Sequence, residues 1–226
     1  MRFFIETLLK SIPLFLPLIG IFYAEQYRLL ATLAYFPIFF VVEYLLVYRP
    51  SKKLEERRKD ILNVYFKRWV ENARINKQKP RIRINVMLVK TWFTGKHLFQ
   101  FYGYNMKGWP DADLHLSVKS GLCGSCLEQR CQEAYFEDLR GIDEKTAKQR
   151  FQFNKEQYEL TKHIKAIVCV PLVKTRKSWL SYGEKQDFFG VLNVDTVDDI
   201  GIDFLQNDKT LEDIYNFALF IERVFE

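Results

Sequence analysis

AIVCVPLV at residues 166–173 and FFGVLNVD at residues 188–195 decide the fold of the larger part of this chain. Each is a short apolar run rich in β-branched side chains, bounded by polar stretches, which is the pattern of a buried strand. Working outward, RIRINVMLV at 81–89 alternates polar and apolar side chains. HLFQFYGY at 97–104 alternates again after the Thr94-Gly95 turn. Gly121-Leu122-Cys123-Gly124 precedes a short helix predicted over 125–131, and a second helix is predicted over 154–163. The chain closes on an amphipathic helix over 208–225, with Leu211, Ile214, Tyr215, Ala218, Leu219 and Val224 on its core-facing stripe.

The amino-terminal part reads differently. IETLLKSIPLFLPLIGIFY at 5–23 and LLATLAYFPIFFVVEYLLVY at 29–48 are apolar runs separated by Ala24-Glu25-Gln26-Tyr27-Arg28. About 20 residues of helix span roughly 30 Å, the thickness of a bilayer's hydrocarbon core. The expectation is a two-helix transmembrane hairpin over 1–48. A cleaved leader would explain the first run but not the second. Arg49, Lys52, Lys53, Arg57, Arg58 and Lys59 crowd the end of the second run, whereas the turn carries Arg28 alone. Positive charge stays inside, so the chain is expected in the inner, cytoplasmic membrane as a multi-pass protein with both termini cytoplasmic.

Residues 49–79 form the connection between the two parts. Leu62, Phe66, Trp69 and Ala73 recur at helical spacing, and Pro80 ends the run. Such a helix packs on its own domain or pairs with a second copy. A cytosolic domain is expected over 80–226.

The formal net charge is +6, and residues 140–185 hold eleven basic against five acidic side chains. An anionic partner follows, either a phosphate-bearing ligand or an acidic lipid surface. No nucleic-acid reading motif accompanies the charge, so no direct DNA or RNA binding is expected. Four cysteines on the cytoplasmic side are expected as reduced thiols. His115, Cys123, Cys126 and Cys131 are zinc-competent, but one CxxC without a second spaced pair predicts no metal.

The order of these pieces, with Cys169-Val170-Pro171-Leu172 and Gly190-Val191-Leu192-Asn193-Val194-Asp195 the most specific, resembles the GAF domain over roughly residues 55–226. The resemblance implies an α+β fold: a GAF-like antiparallel sheet with flanking helices, the terminal helices on one face and a small-molecule pocket on the other. It also implies a sensor of small effectors such as cyclic nucleotides. The phosphodiesterase-like pattern is half matched, by Phe204-x-x-x-Asp208, with Lys209 in place of its Glu. A chromophore-bearing cysteine setting is missing. Gly121-x-Cys123-Gly124 matches the free methionine-(R)-sulfoxide reductase branch, but residues 132–168 hold no cysteine to act as its attacking thiolate.

No catalytic set is visible, and the chain is expected to be a non-enzymatic sensor without cofactor or metal. The expected function is a membrane-anchored effector whose pocket binds a small anionic ligand, a (cyclic) nucleotide. It signals by homo-oligomerisation through the hairpin, with membrane disruption in antiviral defence as the output. The alternatives are a ligand-free regulatory GAF subunit on a protein partner and a redox relative of the reductase. The expected ligand-binding residues are Phe136, Phe151 and Tyr158 for stacking, Lys155, Lys162, His163, Lys174 and Arg176 for phosphate, and Asp195. The long connection 174–186 was expected to carry part of this set.

Overall fold

A computed structural model describes residues 49–75, 80–92, 95–112, 114–128, 133–177 and 184–225. The chain divides into two units between Arg57 and Arg58. The described part of the first unit is the opening of helix α1 (Arg49–Ile75). The second unit carries the sheet and the remaining described helices.

Six strands form one antiparallel, curled sheet in the order β3-β2-β1-β6-β5-β4. They are β1 (Ile82–Trp92), β2 (Gly95–Tyr104), β3 (Leu116–Ser117), β4 (Tyr135–Asp138), β5 (Ala166–Lys177) and β6 (Glu184–Thr196). The central pairs are β1 with β6 and β6 with β5, so the two strands read first from the sequence lie side by side in the middle. Successive side chains of a strand point to opposite faces, and that alternation builds two cores.

One face carries Ile82, Ile84 and Val86 of β1, Leu192 and Val194 of β6, and Ala166, Val168 and Val170 of β5. Leu62, Phe66 and Val70 of α1 cover it, with Ile214, Ala218, Ile221 and Phe225 of α6 (Asp208–Phe225). Full burial of one such side chain contributes about 1.5–3 kcal/mol. α1 therefore packs on its own domain from Leu62 onward. Ile202 and Leu205 of α5 (Asp199–Leu205) join the same core, and the N-cap Asp198 side chain accepts from the Gly201 amide. The opposite face carries Met87, Val191, Ile167 and Cys169 under three short helices. These are α2 (Gly121–Glu128), α3 (Glu144–Phe151) and α4 (Lys155–Thr161). Asp143 caps α3, and Asn154 with Gln157 forms a reciprocal capping box on α4.

The fold class expected from the sequence is corrected in its membrane part. Among the described residues no helix is long and apolar enough to cross a membrane. The longest, α1, is charged along its opening turns (RPSKKLEERRKD) and again further on. The spans expected over 5–23 and 29–48 lie outside the described residues. What stands is an α+β fold, a curled six-stranded antiparallel sheet with flanking helices.

Two smaller expectations also change. The described residues of the stretch 174–186 are ladder, because Lys174 pairs with Asp187, Thr175 with Gln186, Arg176 with Lys185 and Lys177 with Glu184. On α6 the buried stripe runs Thr210, Ile214, Ala218, Ile221 and Phe225, while Leu219 is exposed.

Candidate functional site

The polar side chains of β1 and β6 gather on the face opposite α1 and α6. Arg83 pairs in register with Asp195, and Asn85 with Asn193, whose other neighbour is Cys169 on β5. Two rows of polar groups thus lie inside an otherwise apolar layer. Buried polar groups need partners, and most of these find them in one another.

In the first row Arg83 Nε donates to Asp195 Oδ1 at 2.6 Å. Its Nη1 and Nη2 donate to the two oxygens of Asp111 at 2.9 and 3.0 Å. This is the paired-fork geometry that guanidinium favours. Asp111 arrives on the segment after β2. There Asn105 turns the chain with φ of 58° and donates its side-chain amide to the Ile82 carbonyl. That turn also lays Trp109 over the Arg83 guanidinium, 4.9 Å from it, and stacks it on His163 with ring centroids 4.8 Å apart. His163 Nε2 lies 2.9 Å from Arg83 Nη1 and 3.2 Å from Asp111 Oδ1. Neutral with its proton on Nδ1, the ring accepts from Arg83; protonated, it donates to Asp111.

Environment separates the two carboxyls. Burial pushes Asp195 up to about 6, against the pull of Arg83. Burial also works against the Asp111 carboxylate, but hydrogen bonds from His163 and Arg83 outweigh it and hold Asp111 below the ordinary range. Burial disfavours the Arg83 cation, and the two carboxylates together overcome it and raise that group further.

The second row is a relay through two thiols and two amides. Cys169 Sγ and Cys123 Sγ both donate to Asn193 Oδ1, at 3.0 and 3.3 Å. The Asn193 amide nitrogen then donates to Asn85 Oδ1 at 2.8 Å. Burial pushes the Cys169 thiol well up, so it stays protonated and keeps donating.

Beside these rows the helices leave a cavity of about 70 Å³, open on one side. At ~10–15 Å³ for one water, it holds a handful of waters or one small organic molecule. Met87, Leu116, Leu122, Phe151, Phe153 and Ile167 give it apolar walls. Asn85, Gln100, Asp111, Thr161, Asn193 and Asp195 are its polar contributors, with Cys123 beside them. Among the described residues no group of three or more His, Cys, Asp or Glu side chains is placed to hold a metal ion.

Of the residues expected from the sequence, Phe151 and Asp195 line the cavity, and His163 sits beside it in the Arg83–Asp111 network. Tyr158 packs against the same core, its hydroxyl donating to the Ile142 carbonyl. Phe136 packs against the core on the other face. Lys155 is exposed at the start of α4, and Lys162 pairs with Glu159 on the surface. Lys174 donates to the Phe225 carbonyl, on the α6 side. Arg176 lies on β5, with its side chain outside the description.

Sequence reasoning passed over Arg83, Asn85, Trp109, Asp111 and Asn193. A signal existed for three of them. Asn193 and Asp195 interrupt an apolar strand at alternate positions, and Arg83 and Asn85 do so in β1, which marks a polar row under cover rather than a wet face.

No known protein family matches the chain, and no curated protein matches it. The GAF resemblance is therefore withdrawn. The functional expectations built on it are corrected as well. Among the described residues the cavity wall carries Asp111 and Asp195 and no Lys, Arg or His, which does not suit a small anionic ligand or a (cyclic) nucleotide. Oligomerisation through a hairpin, membrane disruption in antiviral defence, the membrane as partner and inner-membrane localisation have no spanning helix among the described residues to rest on. The regulatory GAF subunit falls with the family. The reductase-related reading falls because Cys123, Cys126 and Cys169 are buried thiols engaged as hydrogen-bond donors.

Proposed function

We propose that this domain is a receptor for one small uncharged molecule, held in the cavity between the sheet and α2–α4. The observation that carries the reading is Asp195. It is 1% exposed and lines the cavity, yet only one of its two carboxylate oxygens has a hydrogen-bond partner among the described residues. A buried acceptor left over costs stability that a ligand donor recovers. The apolar walls supply the remaining affinity, the usual division of labour in small-molecule sites.

The reading is of binding rather than turnover. Arg83 spends its donors on Asp195 and Asp111, and the thiols spend theirs on Asn193 and the Cys169 carbonyl. Such groups hold shape.

Thermal unfolding of the full chain against a panel of uncharged and anionic fragments tests this. A ligand at 100 times its Kd adds about 2.7 kcal/mol to the folded state. For a chain of this size that is a rise in Tm on the order of 5–10 °C. Uncharged fragments are expected to give such shifts, and Leu114→Trp, which fills the cavity from its wall, is expected to remove them. A panel in which only anions stabilise the protein would overturn the reading.

A further inference from the structure

The relay of buried side chains fixes which groups the cavity offers to a ligand. An asparagine amide is defined by its neighbours, not by its shape. The Cys123 and Cys169 thiols both meet one side-chain atom of Asn193, its Oδ1, which accepts from them. Its nitrogen must then face Asn85 and donate to it, which makes the facing Asn85 atom an oxygen. The Asn85 nitrogen has no partner among the described residues and stands as a donor, on a side chain 9% exposed that lines the cavity. Asp195 is fixed in the opposite sense. Its Oδ1 accepts a hydrogen bond from Arg83 Nε, and Oδ2, with no partner among the described residues, stands as an acceptor.

Asn85 and Asp195 are diagonal neighbours on this face, because Arg83 is opposite Asp195 and Asn85 is opposite Asn193. Diagonal residues lie about 7–8 Å apart at Cα and are within reach of one ligand. The cavity therefore presents a donor beside an acceptor on one wall, with apolar surface around them. Among the described residues no unspent cation lines it, since Arg83 is committed to two carboxylates.

We propose that the ligand is a small neutral cyclic amide or imide, bound by a ring edge that places N–H next to C=O. The ring N–H donates to Asp195 Oδ2, and the carbonyl accepts from Asn85 Nδ2. The ring faces pack on Leu122, Phe151 and Ile167. This inference rests on the receptor reading above and adds the chemistry of its ligand. It also explains why two thiols are buried beside an amide: they orient Asn193, which orients Asn85.

The test uses the full chain and measures Kd by titration calorimetry and by ligand-observed NMR. The probes are uracil and hydantoin, 1,3-dimethyluracil with its N–H groups removed, and orotate, which adds a carboxylate. Uracil or hydantoin is expected to bind, dimethyluracil at least tenfold more weakly, and orotate not measurably. Asp195→Asn, which turns the free acceptor into an amide, is expected to lower affinity at least tenfold. Because that variant also disturbs Arg83, the ligand comparison on the unaltered protein decides the matter where the variant does not fold. Equal affinity for uracil and dimethyluracil would overturn the inference and leave the receptor standing. So would uncharged fragments of other chemistry that stabilise the protein while no cyclic amide does. Failure of every uncharged fragment would overturn both.

Discussion

Arg83 and Asp195 meet at 2.6 Å across the central pair of strands, each with 1% of its side chain exposed. Taking two charges out of water is costly, and the pair persists because Asp111 and His163 complete it. Removing one member leaves carboxylates buried without a cation. Arg83→Met is therefore expected to cost about 3–5 kcal/mol. At ~2–4 °C per kcal/mol the Tm falls by roughly 6–20 °C. Calorimetry of Arg83→Met, Asp195→Leu and the double variant should give a coupling on the order of 1 kcal/mol or more. Additive losses would mean the two side chains act independently.

The elevated Asp195 carboxyl has a sign that can be checked. Its ordinary value is 3.8 and its folded value is about 6, so between those limits the folded protein holds a proton that the unfolded chain has released. Its contribution to stability is full below about pH 4 and declines as pH rises through 6. The decline is on the order of 3 kcal/mol at 1.36 kcal/mol per pKa unit. Asp111, held low, works in the opposite direction and loses its contribution as pH falls. Urea unfolding at pH 7, 4.5 and 2.5 separates them, the first interval reading Asp195 and the second Asp111. Asp195→Asn should remove the decline and leave the acid-side loss. An unchanged pH profile in Asp195→Asn would place the titration elsewhere.

Much of this fold is written in side-chain alternation. Ile82, Ile84 and Val86, or Ala166, Val168 and Val170, announce a buried face at a period of two. The shorter elements are not, because β3, β4 and α3 hold few residues and owe their form to partners distant in sequence. Asp138 of β4, for example, pairs with Ala166. The site was half legible. Phe151, expected to stack on a ligand, and Asp195, expected to contact one, both line the cavity. Asp111 and Trp109 belong to an irregular turn after β2, with no periodicity to place them. Basic composition pointed toward a phosphate, yet Lys155 and Lys162 are exposed on α4, because net charge says nothing about which face a residue occupies. The membrane expectation for 5–23 and 29–48 rested on apolar length and flanking positive charge, and those residues lie outside the described ones.

Gly124 lets α2 lie against the turn that precedes it. A Cβ there would sit 2.5 Å from the Lys119 carbonyl carbon and 2.9 Å from the Val118 oxygen, both backbone atoms with little room to move. Gly124→Ala is expected to lose about 1–3 kcal/mol through overpacking. It also pushes back the helix that carries Leu122 and Cys123, so affinity for any cavity ligand should fall with stability. Denaturant unfolding and one titration measure both. A variant as stable as the parent, with unchanged affinity, would show that α2 has slack the close approach does not suggest.

Trp109 closes the ion network from outside through its contacts with Arg83 and His163. Trp109→Ala removes a cation–π contact and an aromatic stack, each worth about 0.5–1.5 kcal/mol in such settings. A loss of roughly 1–3 kcal/mol is expected by urea unfolding. Trp109→Phe keeps a ring over both partners and should recover at least half of it. Equal losses in the two variants would assign the cost to the indole's bulk and not to its face.

Ala218 and Leu219 are neighbours on α6 that the sequence placed on one stripe, and the structure puts them on different sides. Ala218 is 1% exposed against the sheet, whereas Leu219 is 37% exposed. Helical geometry explains the split. The residues at 210, 214, 218, 221 and 225 follow one line at steps of three and four, and 219 is turned away from it by about 100°. Ala218→Leu is thus expected to overpack the core at about 1–3 kcal/mol. Leu219→Lys should change stability by no more than ~0.5 kcal/mol, as exposed substitutions do. Urea midpoints at an unchanged m-value read the difference directly. If Leu219→Lys proved the more damaging of the two, then α6 would lie rotated by one residue, and Ile214, Ile221 and Phe225 would not form the surface that covers β5 and β6.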